Sequence, residues 1–180
     1  MNIEIPPIRL LKSGDPERWQ MGAVAGFPNL LQPVVHALLQ ARDEINTLLQ
    51  TGDDGWLWQR PAGLAAPGFH LLHIKGFLDR LFTYAEGNML STAQLAYLSA
   101  EEKTIDNSTR AALLKDLNDQ FLACFRRLAM APVKELYDER LVGRKKIPST
   151  MLGLYFHAAE HTMRHTGQLL TTWKLLSATH

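Results

Sequence analysis

The chain has few of the features that mark several common classes of protein. Its 180 residues include one cysteine, Cys124, so no disulfide can form within the chain and no cysteine-based zinc cluster can be built. Lysine and arginine number 19 against 18 acidic residues, and the formal net charge is +1. A balance this even lacks the basic surface of a nucleic-acid-binding protein. We therefore expect no nucleic-acid partner.

Long apolar runs and a targeting segment are also missing. No uninterrupted apolar run approaches the roughly 20 residues that a helix needs to cross a bilayer. Residues 1–11 have no basic segment followed by an apolar core, so we expect no secretory signal peptide. The default expectation is a cytoplasmic protein that does not bind membranes. With 46% hydrophobic and 21% charged residues, the composition is typical of one globular domain.

The sequence does contain four long segments in which apolar residues recur at steps of three and four, as on one face of a helix. Pro67 suits the first position of the second segment, and Ser108 suits the N-cap of the third. No alternating pattern typical of a strand is long enough to count. We therefore predict an all-α four-helix bundle. The four segments span about residues 29–50, 67–86, 108–131 and 148–176.

The rest of the chain is expected to connect or extend these helices. A short helix is predicted within residues 91–103, in a connection long enough for a crossover between the second and third helices. Residues 130–147 form a second connection. Residues 1–28 contain prolines and a Gly-Asp-Pro turn that break any long element. They predict an N-terminal extension, which leaves residues 29–180 as the bundle domain.

Two histidines in the last segment carry the clearest chemical signal. His161 and His165 are four residues apart, so their rings lie on one side of a helix, one turn of about 5.4 Å apart. We expect both on the apolar stripe that faces the bundle centre. His73, between Phe69 and Phe77 in the second segment, should also point inward. Three neutral imidazoles would leave a divalent metal with an open position, although buried, hydrogen-bonded core histidines are the alternative.

Three further polar residues are candidates for proton transfer or substrate contact. His157 lies about 80° from His165 around the helix, which places it at the rim of the site. His70 lies about 60° from His73 and is expected at the edge of the same cleft. Gln168 is expected on the inward seam, where its amide could hydrogen-bond a ligand's ring or a substrate. Ordinary structural contacts explain each of them as well.

Four other residues have simpler interpretations. Gly76 removes bulk beside His73, so another helix or a ligand could approach there. Arg80 is expected either in a surface salt bridge or near an anionic substrate. Glu160 can pair with Arg164 across one helical turn. Cys124 falls at a core-like position of the third helix and is expected to pack rather than to react.

These residues together resemble the DinB-like superfamily, for which a closing HxxxHxGQ pattern is the most specific sequence element. That pattern is met by His161 to Gln168, and the upstream element is the segment at 69–74 that contains His73. The resemblance covers residues 29–176. It implies a four-helix bundle with up-down-down-up connections and one divalent metal held by His73, His161 and His165. Members of this superfamily are commonly homodimers.

The resemblance carries the fold and the metal better than it carries a reaction. Members with known activities include metal-dependent transferases and isomerases that use small thiols. The leading hypothesis is therefore an enzyme whose metal activates a low-molecular-weight thiol or water, for S-transfer or hydrolysis of a small-molecule substrate. Zinc or nickel is favoured, and iron, copper or manganese stay open. The alternatives are a non-catalytic metal-binding bundle with a structural or stress-response role, and a helical interaction module without metal.

Overall fold

The computed structural model describes residues 9–12 and 14–179, and within them the chain is mostly helical. Five α-helices and two short β-strands follow one another in this described part of the chain. Short 3₁₀ turns precede several of them, including one at Asn29–Leu31 that delays the first α-helix. The elements are α1 (Gln32–Leu48), α2 (Pro67–Ala85), α3 (Thr92–Ala100), α4 (Arg110–Ala129), β1 (Glu139–Val142), β2 (Ile147–Thr150) and α5 (Met151–Thr179).

The four long helices close into a ring around one apolar core. Helix α5 packs between α1 and α2, and α4 packs between α2 and α1 on the opposite side. Fully buried side chains such as Leu38, Ile74, Phe121 and Tyr155 come from all four helices and fill the space between them. The predicted all-α four-helix bundle is thus confirmed. Its up-down-down-up path stays a prediction.

Local chemistry explains where the helices begin. Pro67 opens α2 at the first helical position, as expected. The predicted cap of α4 is wrong by one residue, because the Thr109 hydroxyl accepts the hydrogen bond from the Ala112 N–H at 3.2 Å. The Ser108 hydroxyl instead accepts from the indole N–H of Trp58 at 2.8 Å. The hydroxyl of Ser108 is therefore engaged in a tertiary contact and does not cap α4.

The second connection contains a β-hairpin that the sequence analysis did not predict. Strands β1 and β2 pair antiparallel, with Val142 opposite Ile147. The turn between them uses left-handed backbone at Gly143 and Lys146. Each strand has four residues, which is too short for an alternating pattern to stand out. The hairpin leads directly into α5, where the Thr150 hydroxyl accepts from the Gly153 N–H at 3.0 Å.

The described part of the N-terminal extension is fastened to α1 by a buried ion pair. Arg18 sits in a 3₁₀ turn, and its Nε donates to Oδ2 of Asp43 on α1 at 2.6 Å. Both side chains are almost fully buried. The first eight residues, which belong to the predicted extension, lie outside the described residues, and the domain boundary near residue 29 stays a prediction. Among the described helices, none is both long and apolar enough to span a membrane.

Candidate metal centre

Helices α2 and α5 bring together the three histidines that the sequence singled out. Each of His73, His161 and His165 offers a ring nitrogen, and the three nitrogens lie within 4.8 Å of one another. Nε2 of His73 is 2.9 Å from Nε2 of His161. The His165 ring centroid is 4.5 Å from each of the other two. Imidazole nitrogens at this spacing can converge on one divalent ion.

The histidine cluster lies at the edge of the α2–α5 contact, and the expectation that it faces the bundle centre is wrong. All three rings are half-buried. The inward row of α5 is occupied instead by Thr162 and Thr166, which are almost fully buried. Their hydroxyls donate to the carbonyls of the preceding turn, so they satisfy their polar groups within the helix. The imidazoles are thereby turned toward the cleft, where a ligand can reach them.

A buried carboxylate fixes the orientation of His73. Nδ1 of His73 lies 2.9 Å from Oε2 of Glu101, the residue that follows α3. Since a carboxylate accepts hydrogen bonds, Nδ1 carries the proton and Nε2 presents its lone pair to the cluster. Glu101 is 3% exposed and also accepts from both terminal nitrogens of Arg80. Of the two roles expected for Arg80, a salt bridge or attraction of an anionic substrate, the salt bridge is present with Glu101, but it is buried and does not lie at the surface.

The Arg80–Glu101–His73 chain depends on a glycine. A Cβ at Gly76 would lie 2.6 Å from the Tyr97 ring and 2.7 Å from Nη1 of Arg80, and it would overlap Oε1 of Glu101. The room predicted beside His73 thus admits α3 and its carboxylate. Burial alone would raise the pKa of Glu101, but the hydrogen bonds with His73 and Arg80 outweigh it and hold that pKa below its ordinary value. Glu101 is accordingly a carboxylate at neutral pH.

His70 contacts His165 through a hydrogen bond between their rings. Its side chain is only 2% exposed, although it lines a cavity beside the cluster, and its Nδ1 lies 3.0 Å from Nδ1 of His165. One of these two nitrogens must carry the shared proton. If His165 donates it, its Nε2 is left with a lone pair and His70 carries its own proton on Nε2. Burial, followed by the nearby His165 and His73, lowers the pKa of His70 to about 4.

Both α5 histidines are held in the neutral form that binds metals. Burial lowers the pKa of His161 to about 4, with further lowering from His165 and His73. Burial also lowers the pKa of His165 to about 4, and His73 and Arg164 add to the effect. Metal ions bind imidazole nitrogens whose lone pair is free. The environment therefore keeps the two rings available as ligands at neutral pH.

Two phenylalanines flank the cluster. Phe69 stacks on His73 with centroids 5.3 Å apart, and Phe77 stacks on His161 with centroids 3.8 Å apart. These rings limit the freedom of the imidazoles and shield them from water on two sides. In the sequence, Phe69 and Phe77 stand out only as apolar residues on the same side of the second segment as His73. Their spacing of four residues on each side of His73 was the signal for this role.

The remaining candidates surround the cluster without joining it. His157 is half-exposed and lies 3.5 Å from Glu160, which suits the predicted rim position. Glu160 also pairs with Arg164, as expected. Gln168 is exposed, so its predicted place on the inward seam is wrong. The inward row is taken by Leu169 one residue further on, because the buried stripe of α5 runs through residues 162, 166, 169 and 173.

A comparison with protein families gives one finding. A profile of the DinB superfamily matches residues 37–169, well over half of the chain. The chain belongs to the DinB superfamily. Within the matched region lie the three histidines of the cluster and both residues that support His73. A search of curated proteins finds no match. Membership of the DinB superfamily and the three-histidine cluster are together compatible with a metal-binding site, and neither identifies the metal.

Proposed function

We propose that this DinB superfamily member is a metal-dependent enzyme in which His73, His161 and His165 hold one divalent transition metal. The observation that carries the proposal is the convergence of three imidazole nitrogens within 4.8 Å from two separate helices. The donor set fits such an ion, since imidazole suits zinc, nickel, copper and iron. Zinc or nickel is our first choice, with iron, copper or manganese behind them.

The residues around the cluster prepare it for such an ion. Glu101 holds the proton of His73 on Nδ1 at 2.9 Å, so Nε2 points to the shared centre. His70 contacts Nδ1 of His165 and limits the rotation of that ring. A metal bound by three imidazoles supplies an electrophilic centre that lowers the pKa of a water or thiol in its open position. His157, at the rim, is our candidate for moving a proton between the site and solvent.

The attacking group must come from a bound small molecule or from water. Cys124 is fully buried on α4, and burial raises the pKa of its thiol to about 12. It is therefore neither ionised nor accessible. We propose that the substrate is a small molecule and that a low-molecular-weight thiol or water reacts with it, which gives a thiol transferase or a hydrolase.

Turnover by untagged protein tests this proposal. Protein loaded with zinc, nickel or manganese is assayed against electrophiles with several small thiols, and against esters with water. We expect turnover with at least one combination, and its loss in His161→Ala while the far-UV circular dichroism is unchanged. His36→Ala is the matched control, since His36 lies on α1 and bonds the Gly22 carbonyl at 2.9 Å. Turnover that survives His161→Ala would contradict the proposal.

A second candidate is a non-catalytic metal-binding bundle with a structural or stress-response role. The observation that favours it is the linkage of three elements through the cluster, since α2, α3 and α5 all contribute residues to it or to its support. A metal there would stabilise the folded state by binding it selectively. This candidate predicts that chelation lowers the melting temperature and that no substrate turns over with any metal. Cytoplasmic location and a homodimer stay predictions under both candidates.

A further inference from the structure

A cavity of about 430 Å³ adjoins the histidine cluster, between the segment that leads into α2 and the outer side of α5. Its size falls in the range of small-molecule sites. Two of its lining residues touch the cluster directly, because Phe69 stacks on His73 and His70 contacts His165. Leu64, Phe69 and His70 line one wall, and Arg164, Gly167 and Gln168 line the other.

Gly167 has no packing role that explains it. It lies inside α5, where glycine weakens a helix relative to alanine. A Cβ built there would meet nothing within 4 Å, in contrast to Gly76, where neighbours fill the space. The open space beside Gly167 belongs to the cavity. The missing side chain therefore keeps the cavity wide at this point of α5.

The guanidinium of Arg164 is the charged group that lines the cavity. The polar side chains of Gln168, Thr171 and Thr172 can each donate and accept hydrogen bonds. His70 has Nδ1 engaged by His165, so Nε2 is the nitrogen that remains for a ligand. No aspartate or glutamate is among the described residues that line this cavity. Glu160 pairs with Arg164 from outside through Nη2, and both side chains are more than a third exposed, so this pair is weak.

We propose that this cavity is the substrate pocket of the metal site and that it binds a small organic acid. The carboxylate of the acid would contact Arg164 and Gln168, since a guanidinium binds carboxylates through two parallel N–H bonds. Its apolar body would lie against Leu64 and Phe69. The name substrate pocket rests on the proposed function, whereas binding of the acid to the cavity does not.

Nuclear magnetic resonance titration with two probes of equal size tests the proposal. The probes are 3-phenylpropionate and its neutral analogue 3-phenylpropionamide, added to metal-free and to zinc-loaded protein. We expect the acid to shift the backbone amide signals of Gly167 and Gln168 and to bind about fivefold more tightly than the amide. Arg164→Gln should remove that preference. Arg126→Gln, at an exposed position on α4, is the control and should preserve it.

A glycine series tests the cavity itself. Gly167→Ala should keep acid binding and raise the melting temperature by about 2–4 °C. Gly167→Leu should abolish binding without lowering the melting temperature, because its Cβ meets nothing within 4 Å and the longer side chain would occupy the cavity. Equal binding of acid and amide, or binding that survives Gly167→Leu, would overturn the proposal. So would an acid preference that persists in Arg164→Gln and disappears on removal of zinc.

The two proposals fail in different ways. Zinc affinity is measured separately, by competition with a chromophoric chelator, in wild-type protein and His161→Ala. Protein that binds the acid at Gly167 and binds no zinc would refute the metal-dependent function and leave the cavity assignment intact. Protein that binds zinc and turns over substrate, without any shift at Gly167 or Gln168, would refute the cavity assignment alone.

Discussion

Two buried arginine–carboxylate pairs in this molecule differ in the second group that the carboxylate contacts. Asp43 on α1 accepts from Arg18 and from Arg42, so both of its oxygens are taken by arginines. Glu101 accepts from Arg80 and from the imidazole of His73. Asp43 contacts only arginines in this way, and its pair with Arg18 holds the N-terminal segment against α1. Glu101 links Arg80 to His73, whose half-buried ring lies at the cleft.

The same kind of buried ion pair therefore stabilises the fold at Asp43 and orients a candidate metal ligand at Glu101. Burying an ion pair gives little net stability, because desolvation offsets the attraction, but removing one partner is expensive. At Asp43 that sensitivity affects only the fold. At Glu101 it also determines which nitrogen of His73 carries the proton. A pair of this second kind sets the tautomer of a candidate ligand and is expected to change metal binding when it is broken.

The largest expected effect comes from removing each carboxylate charge in turn. Asp43→Asn and Glu101→Gln each leave a buried arginine without its counter-charge, so each should lower the free energy of unfolding by about 3–5 kcal/mol. Only Glu101→Gln should also weaken zinc binding, by about 10- to 100-fold. Urea denaturation and chelator competition measure the two quantities. Equal zinc affinity in the two variants would remove the distinction between the pairs.

The next effect concerns two glycines in helices. Gly76→Ala forces a Cβ against Tyr97, Arg80 and Glu101, and it should destabilise the protein by about 1–3 kcal/mol and weaken zinc binding. Gly167→Ala meets open space and should stabilise the protein by up to about 1 kcal/mol. Thermal unfolding of both variants checks the signs. Stabilisation by Gly76→Ala would mean that α3 does not seat Glu101 as described.

A smaller effect is expected from pH in metal-free protein. His70, His161 and His165 have pKa values lowered to about 4, against about 6.5 in an unfolded chain. Between these values the unfolded chain binds more protons, so the free energy of unfolding should fall as pH drops from 6.5 towards 4. Above 6.5 these groups add no pH dependence.

His70→Leu provides the check on this pH prediction. It removes one titrating ring and should reduce the slope of unfolding free energy against pH in the same window. Urea denaturation at half-unit pH steps measures the slope. A slope that is unchanged in His70→Leu, or stability that rises on acidification, would contradict the assignment of neutral, buried imidazoles.

The smallest effect is expected at Cys124. Its thiol is fully buried and burial raises its pKa to about 12, so iodoacetamide at pH 8 should leave the native protein unmodified. Mass spectrometry should find full modification after unfolding in guanidinium chloride. Rapid labelling of the native protein would show that α4 opens in a way that the packed core does not suggest.

Sequence reasoning reached the helices and the three histidines because both are local patterns. Helical spacing marks an apolar face over many residues, and HxxxH places two rings on one side of a helix whatever surrounds it. The same reasoning put His161 and His165 at the bundle centre. That was wrong because Thr162 and Thr166 can occupy the buried row by bonding their own helix.

Local sequence patterns could not predict which residues support the histidine cluster. Glu101 meets His73 only after the connection folds back over Gly76, and the sequence between them has no periodic signal for that contact. Arg80 was expected in a surface salt bridge or near an anionic substrate, and its buried partner Glu101 lies 21 residues further on, where no local pattern connects the two. Gln168 was misplaced for a related reason. Side-chain angles on an isolated helix do not show which neighbour covers which side.

The central claim is that three imidazoles bind one metal, and X-ray absorption at the zinc edge tests it most directly. Protein loaded with one zinc per chain should show three imidazole nitrogens at about 2.0–2.1 Å. His73→Ala should reduce the number to two, while His157→Ala should leave it at three. Fewer than three imidazoles in the wild-type protein, or a spectrum that His73→Ala does not change, would contradict the account.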